Sequence, residues 1–363
     1  MGGAGGAGRA GEPRRLRTVR GGRRRALAAR RQSCQSQAGV VGMISRRVAV
    51  GGLLLGVIGS ARAADFPSRP MNWIVPFPPG GSNDIFARPV AGFVGRQFGQ
   101  PVAVENRGGA GGTLGGMVAA RSRPDGCTLL VVNPSLTFAS IVYAESGFDL
   151  MRDFAPVSGM AQVPVALVIN PAKITARDLA GFLTLARRSP GAINIGSSGL
   201  GTIPHLAVEL LQQRTGISLT HVPYRGGGPA LQDMLAGQID ATFAPLSTVA
   251  SYVQSGRLRA LAVAAPRREA VMADVPTFAE AGVADFNVST WYGLFAPKAT
   301  PTTALDTLHG SVQAALADPG IRAIWTEQGA EADLRSRRAF TEFVHHEVER
   351  WSRIARTVGL PME

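Results

Sequence analysis

The chain has 363 residues and a formal net charge of +13, a length that accommodates two domains of ordinary size or one large one. Residues 1–63 hold thirteen arginines against a single acid, Glu12, so the rest of the chain is nearly neutral. A polyanion partner loses its main support, and nucleic-acid binding is set aside.

Met43-Ile44-Ser45-Arg46-Arg47, the short apolar run Val48 to Ile58 and the Ala61-Arg62-Ala63 site read as a secretory signal peptide over 43–63, compatible with Sec or twin-arginine export. Residues 1–42, mostly Gly, Ala and Arg, read as disordered or as an upstream extension from a misplaced start. Cys34 falls in this leader and Cys127 stands alone. No intramolecular disulfide and no Cys-pair metal site is expected, and with no Cys at the cleavage site a soluble product is.

In chain order, Asn72 to Phe77 reads as a buried strand, Ile85 to Phe98 as a helix, Pro101 to Asn106 as a strand, Leu114 to Arg121 as a helix and Thr128 to Asn133 as a strand. This alternation predicts a parallel, doubly wound α/β sheet with its ligand at the strands' C-terminal edge. The rhythm repeats from Val163 to Ala264: strands at Val163–Asn170, Asn194–Gly196, Leu219–Pro223, Ala241–Ala244 and Leu258–Ala264, with helices at Ala176–Arg187, Pro204–Gln213 and Pro229–Ala236. From Thr290 the chain is expected to return to the first unit, closed by helices over about Thr302–Leu316 and Arg338–Val358. The domain reading is therefore lobe 1 at 64–165 plus 290–363 and lobe 2 at 166–289, with a hinge and a cleft between two doubly wound sheets.

Two turns carry the chemistry. Gly196-Ser197-Ser198-Gly199-Leu200-Gly201-Thr202-Ile203-Pro204-His205 and Val75-Pro76-Phe77-Pro78-Pro79-Gly80-Gly81-Ser82-Asn83-Asp84 each follow a strand-like run and open a helix-like one. Such turns aim backbone N–H groups at a point where the helix dipole favours an anion, so a small carboxylate gripped from two sides is expected. Asp84 either stabilises the first helical turn or accepts a ligand ammonium, which would separate amino acids from plain acids. Arg225 is a solvated arginine or a bidentate carboxylate partner. His205 reads more as a structural hydrogen-bonding residue than a ligand group, and Tyr224 as a cleft wall offering its hydroxyl.

These segments, together with Glu105-Asn106-Arg107-Gly108-Gly109-Ala110-Gly111-Gly112, Arg123-Pro124-Asp125-Gly126, His221-Val222-Pro223-Tyr224-Arg225-Gly226-Gly227 and Asp274-Val275-Pro276-Thr277, resemble the tripartite tricarboxylate transporter substrate-binding receptors, the Bug family. The resemblance implies a periplasmic, two-lobed receptor of the type II periplasmic-binding-protein architecture that takes up a small organic acid. It implies ligand contacts from Pro79, Gly80, Gly81, Ser82 and Asp84 on one loop and from Ser197, Ser198, Gly199, Gly201 and Thr202 on the facing loop. His205, Tyr224, Arg225 and Gly226 match the rest of the pattern, while Asn133 and Ser135 sit at a position that varies in the family. Membrane transporter subunits are the implied partners, the protein is expected as a monomer, and no cofactor or metal is expected. Ligand candidates stay open among di- and tricarboxylates, acidic amino acids and aromatic acids.

Rival readings are an α/β hydrolase-like secreted enzyme and a sensing receptor not tied to transport. The nucleophile elbow G-x-S-x-G fails at Leu200, and Ser198 with His205 defines no triad. Gly109-Ala110-Gly111 lacks the third glycine of a dinucleotide fingerprint, and neither Lys173 nor Lys298 lies in a glycine loop. The residues favour binding over catalysis.

Overall fold

The computed structural model describes residues 66–137, 143, 147–286 and 288–357. The proposed signal peptide at 43–63 and the extension at 1–42 lie outside the described residues.

Strands β1 (Met71–Val75), β2 (Val102–Asn106) and β3 (Thr128–Val132) alternate with helices α1 (Ser82–Phe98) and α2 (Thr113–Ala120), and β1 pairs in parallel with both β2 and β3. Its run Met71-Asn72-Trp73-Ile74-Val75 is buried almost throughout, as a strand covered on both faces must be. The second half holds β5 (Asn194–Ser197), β6 (Thr220–Pro223), β7 (Ala241–Pro245) and β8 (Arg259–Val263), with helices α3 (Leu179–Arg188), α4 (Ile203–Thr215), α5 (Gly227–Leu235) and α6 (Leu246–Gln254). Pro204 in its first turn and Gly216 in the left-handed conformation at its end bound α4, the usual asymmetry of helix punctuation.

One strand joins the halves. β4 (Phe154–Ile169) pairs antiparallel with β9 (Ser289–Pro297) over Phe154 to Pro164, then with β7 and β8 from Val165 onward. The strand order is β2-β1-β3-β9-β4-β7-β5-β6, with β8 and the short β10 (Glu331–Ala332) also on β4. The sheets are thus mixed rather than wholly parallel: the two segments that cross between halves run against their neighbours. The architecture is the two-lobed α/β fold that the sequence predicts.

Three helices close the chain: α7 (Thr302–Ala317), α8 (Pro319–Glu327) and α9 (Arg337–Thr357). α9 is shared between halves. Phe340 and Val344 pack with Trp291 and Phe295, while Trp351 and Ala355 pack into the core of the second half beside Leu167 and Phe286. Where the helix passes β9, the Glu347 carboxylate accepts from the indole N–H groups of Trp291 at 3.0 Å and Trp351 at 2.7 Å, and from Arg350 at 3.1 Å.

An unmatched buried donor costs about 1–3 kcal/mol. Glu347→Ala is therefore expected to lower unfolding free energy by about 2–5 kcal/mol in a denaturant titration, with Glu347→Gln recovering part of it. Unchanged midpoints for both variants would remove this junction from the account.

Candidate functional site

The β1–α1 turn is stiffened by Pro76, Pro78 and Pro79 and reversed at Gly80, whose φ of +85° is strained for any residue with a Cβ. Asp84, one turn into α1, holds it from behind. Its carboxylate accepts from Gly80 N at 2.8 Å, Arg88 Nε at 3.1 Å and Asn106 Nδ2 at 3.1 Å. Asn106 also donates to Phe77 O at 2.9 Å, which ties β2 to the same turn. Asp84 and the Gly80 amide are thus used within the protein, so Asp84 braces the loop. The first-turn amides of α1, at Ser82 and Asn83, have no carbonyl a turn earlier to accept from them and remain as donors.

The β5–α4 turn is braced in the same way. The buried Ser197 hydroxyl accepts from Gly199 N at 3.1 Å and lies 2.6 Å from His221 Nε2. Thr202 Oγ1 donates to Gly199 O at 2.8 Å, and Gly201 N donates to His205 Nδ1 at 3.1 Å. The two imidazoles stack at 4.0 Å with planes 9° apart, and His205 Nε2 lies 3.6 Å from Glu209 Oε1. Burial and the neighbouring His205 hold the His221 pKa down at about 4, so this ring is neutral at pH 7. The Ser197–His221 separation is that of a nucleophile and its base, yet Ser197 is 1% exposed and is not among the described residues that line the cleft between the turns.

Between the two turns lies a narrow cleft with a cavity of about 60 Å³. Its lining takes Gly81, Ser82 and Asn83 from the start of α1, Ile203 and Pro204 from the start of α4 with Ser198 from the turn before it, Gly227 from the start of α5, and Pro245 and Thr248 from the start of α6. Asn133 and Ser135, from the turn after β3, also face it, as do the apolar Phe77, Leu231 and Phe243. Among the described residues the lining contains no ionised side chain. Four helix N-termini converge on it, and each carries roughly half a positive charge.

The halves meet around it. Ser135 Oγ accepts from Ile203 N at 3.3 Å, and Tyr143 donates to Leu200 O at 3.2 Å. A Cβ on Gly226 would lie 2.8 Å from Pro78 Cδ, and one on Gly228 would lie 3.1 Å from Pro79 O, so only glycine lets these turns approach. The cleft floor is fixed by β9, where Tyr292 donates to Ser82 Oγ at 2.6 Å and stacks on Phe86. Burial pushes the Tyr292 pKa up to about 12.

The residues singled out from the sequence therefore divide by place. Gly81, Ser82, Asn133, Ser135 and Ser198 line the inner cleft. Gly199, Tyr224 and Arg225 line an outer chamber at its mouth, with Ser198 shared between the two. Pro79, Gly80 and Gly226 form the seam, and Asp84, Ser197, Gly201, Thr202 and His205 stand behind the turns. Tyr224 directs its hydroxyl at Asp233, 2.7 Å away, rather than into the cleft, and burial with that carboxylate raises its pKa to about 12. Sequence reasoning missed Asn83, Gly227, Thr248, Thr290 and Tyr292 as lining residues. Asn83 and Gly227 lie inside quoted motifs, and Thr248 follows the Pro245 that opens α6; a strand–turn–helix junction was the available signal.

Residues 86–360 match the sequence profile described as the tripartite tricarboxylate transporter family receptor, TctC. Protein BugT of Bordetella pertussis is 34% identical over 325 residues, covering 88% of this chain and 99% of BugT. The solved structure of periplasmic binding protein BugD aligns with a TM-score of 0.78 at 30% identity, over 82% of this chain and all of that one. That of R. palustris Rpa4515 with adipate aligns at 0.79 and 32% identity, over 82% and 99% of the two chains. The chain belongs to the tripartite tricarboxylate transporter receptor family, the periplasmic solute-binding receptors that include the Bug proteins.

Proposed function

We propose that this protein captures a small organic carboxylate in the cleft between its halves and delivers it to a tripartite tricarboxylate-type membrane transporter. The supporting observation is the convergence of four helix starts on a cavity with no ionised side chain among the described residues: such a site attracts an anion and hydrogen-bonds it through backbone amides. The adipate-bound relative supports the same reading. The proposal includes export to the periplasm through cleavage after Ala63, a monomeric receptor without cofactor or catalytic residue, and lobes at 64–165 plus 290–363 and 166–289. The hinge then falls where β4 changes partners, between Pro164 and Val165, and where β9 begins at Ser289.

In the proposed site the carboxylate sits against the first turns of α1 and α4, with Ser82, Asn133, Ser135 and Ser198 as polar neighbours and Arg225 at the mouth. Pro79, Gly80, Gly81, Ser197, Gly199, Gly201, Thr202 and Gly226 set the shape of the two turns, held by Asp84, His205 and Tyr224. Preorganised donors matter because ordering a loop on binding subtracts from affinity.

Two outcomes test this. Protein exported to and purified from the periplasm is expected to melt higher with at least one of a panel of C4–C8 carboxylates, since a ligand that binds only the folded state stabilises it. Gly226→Val, which holds the turns apart at Pro78, is expected to weaken that ligand at least tenfold. Flat melting curves across the panel, or full affinity in the variant, would contradict the proposal.

The imidazole brace gives a pH dependence. His221 binds a proton less readily folded, at about 4, than unfolded, at about 6.5. Its contribution is present in full above pH 6.5 and is lost as pH falls toward 4, by up to about 3 kcal/mol. His221→Gln is expected to flatten the fall in melting temperature across that window. An identical slope in both proteins would exclude His221 as its source.

A further inference from the structure

We infer that the outer chamber is a second anion subsite, so that the ligand is a dicarboxylate with one carboxylate in the inner cleft and the other beside Arg225. The inference rests on the carboxylate reading above and deepens it by naming the substrate class. Size is the first observation. A cavity needs roughly 10–15 Å³ for each water it holds, so the inner space of about 60 Å³ has room for roughly four to six non-hydrogen atoms. One carboxylate with a carbon or two fills it. The rest of a longer acid has to continue elsewhere.

The outer chamber gives it a place. It measures about 650 Å³ and shares Phe77 and Ser198 with the inner lining, so the two spaces adjoin. Gly108 to Gly112 wall it from the first half, and Ser198 to Leu200 with Pro223 to Arg225 wall it from the second. A chain that leaves the inner cleft past Ser198 therefore enters a space bounded by both halves.

The chemistry of those walls suits a second anion. Arg225 carries a planar guanidinium whose paired N–H groups match a carboxylate. On the wall from the first half, Gly109, Ala110 and Gly111 take φ of +137°, +44° and +60°, and no described residue accepts from their backbone amides. Successive amides in a turn of this kind form a concavity that favours an anion. The inner cleft thus offers helix dipoles and the outer chamber a full charge with turn amides. A monocarboxylate reaches the first alone, whereas an extended dicarboxylate uses both.

The test compares dicarboxylates with monocarboxylates of equal chain length: succinate with butyrate, adipate with hexanoate, and suberate with octanoate. Affinities are measured by titration calorimetry at pH 7.5, where these carboxyl groups are ionised, on the full exported protein freed of carried-over ligand. In the pair that binds most tightly, the dicarboxylate is expected to bind at least tenfold tighter than its partner. Arg225→Gln is expected to cut that ratio at least threefold, a modest factor because the arginine is exposed. Arg338→Gln, which removes the same charge from an exposed site on α9, is expected to leave the ratio unchanged. A dicarboxylate within tenfold of its partner, a smaller cut in Arg225→Gln, or an equal cut in both variants overturns the inference while leaving the carboxylate reading intact. Binding of another acid when no dicarboxylate binds has the same consequence. Binding of no acid at all overturns the carboxylate reading and the inference with it.

Discussion

The site depends on one electrostatic constraint: a cavity with no fixed cation among the described residues that is nevertheless positive, because four helices begin at its walls. Strand–helix units of one handedness place successive helix starts at the same edge of a parallel sheet, and here β1, β5, β6 and β7 each lead into one of them. The charge is distributed over amides that cannot move away, unlike a lysine or arginine side chain. Among the described residues lining the outer chamber Arg225 is the one cation, and it stands exposed there.

That arrangement works only if the turns are rigid, and buried and half-buried side chains provide the rigidity. Asp84 and Asn106 fix one turn; Ser197, Thr202, His205 and His221 fix the other. Each brace uses a donor that a reading of bare amides would assign to the ligand, among them Gly80 N, Gly199 N and Gly201 N. In the proposed site the turns frame the anion, and the first helical turns after them supply the donors. Glycine's part at Gly226 and Gly228 is different again, since it sets how closely the two halves can come.

The alternation of elements in both halves was legible because buried parallel strands read as unbroken apolar runs, and most boundaries lie within a few residues of the pattern. The first part of β4 was not legible. Pro156, Gly159 and Pro164 interrupt its apolar run, and the structure accommodates them with irregular pairing against β9 between Pro156 and Ser158 and between Gly159 and Ala161. Helix α6 was hidden because it starts directly from the end of β7 at Pro245. The loops of the site were visible from glycine, proline and serine density, whereas the division between lining and bracing was only partly so: the structural reading of His205 agrees with its contacts, while Asp84, open in one dimension between bracing and ligand contact, turns inward in three. Helix α9 was legible as a helix over about Arg338–Val358, but its sharing between the halves was not, since its two apolar segments pack on different cores.

The most direct test of the central claim is a structure of the protein with a bound carboxylate. The account places a carboxylate oxygen within about 3 Å, ordinary hydrogen-bond distance, of the first-turn amides at Ser82 or Asn83, with no arginine or lysine side chain touching it. A carboxylate paired with Arg225 in the outer chamber, with the inner cavity left to water, would contradict it.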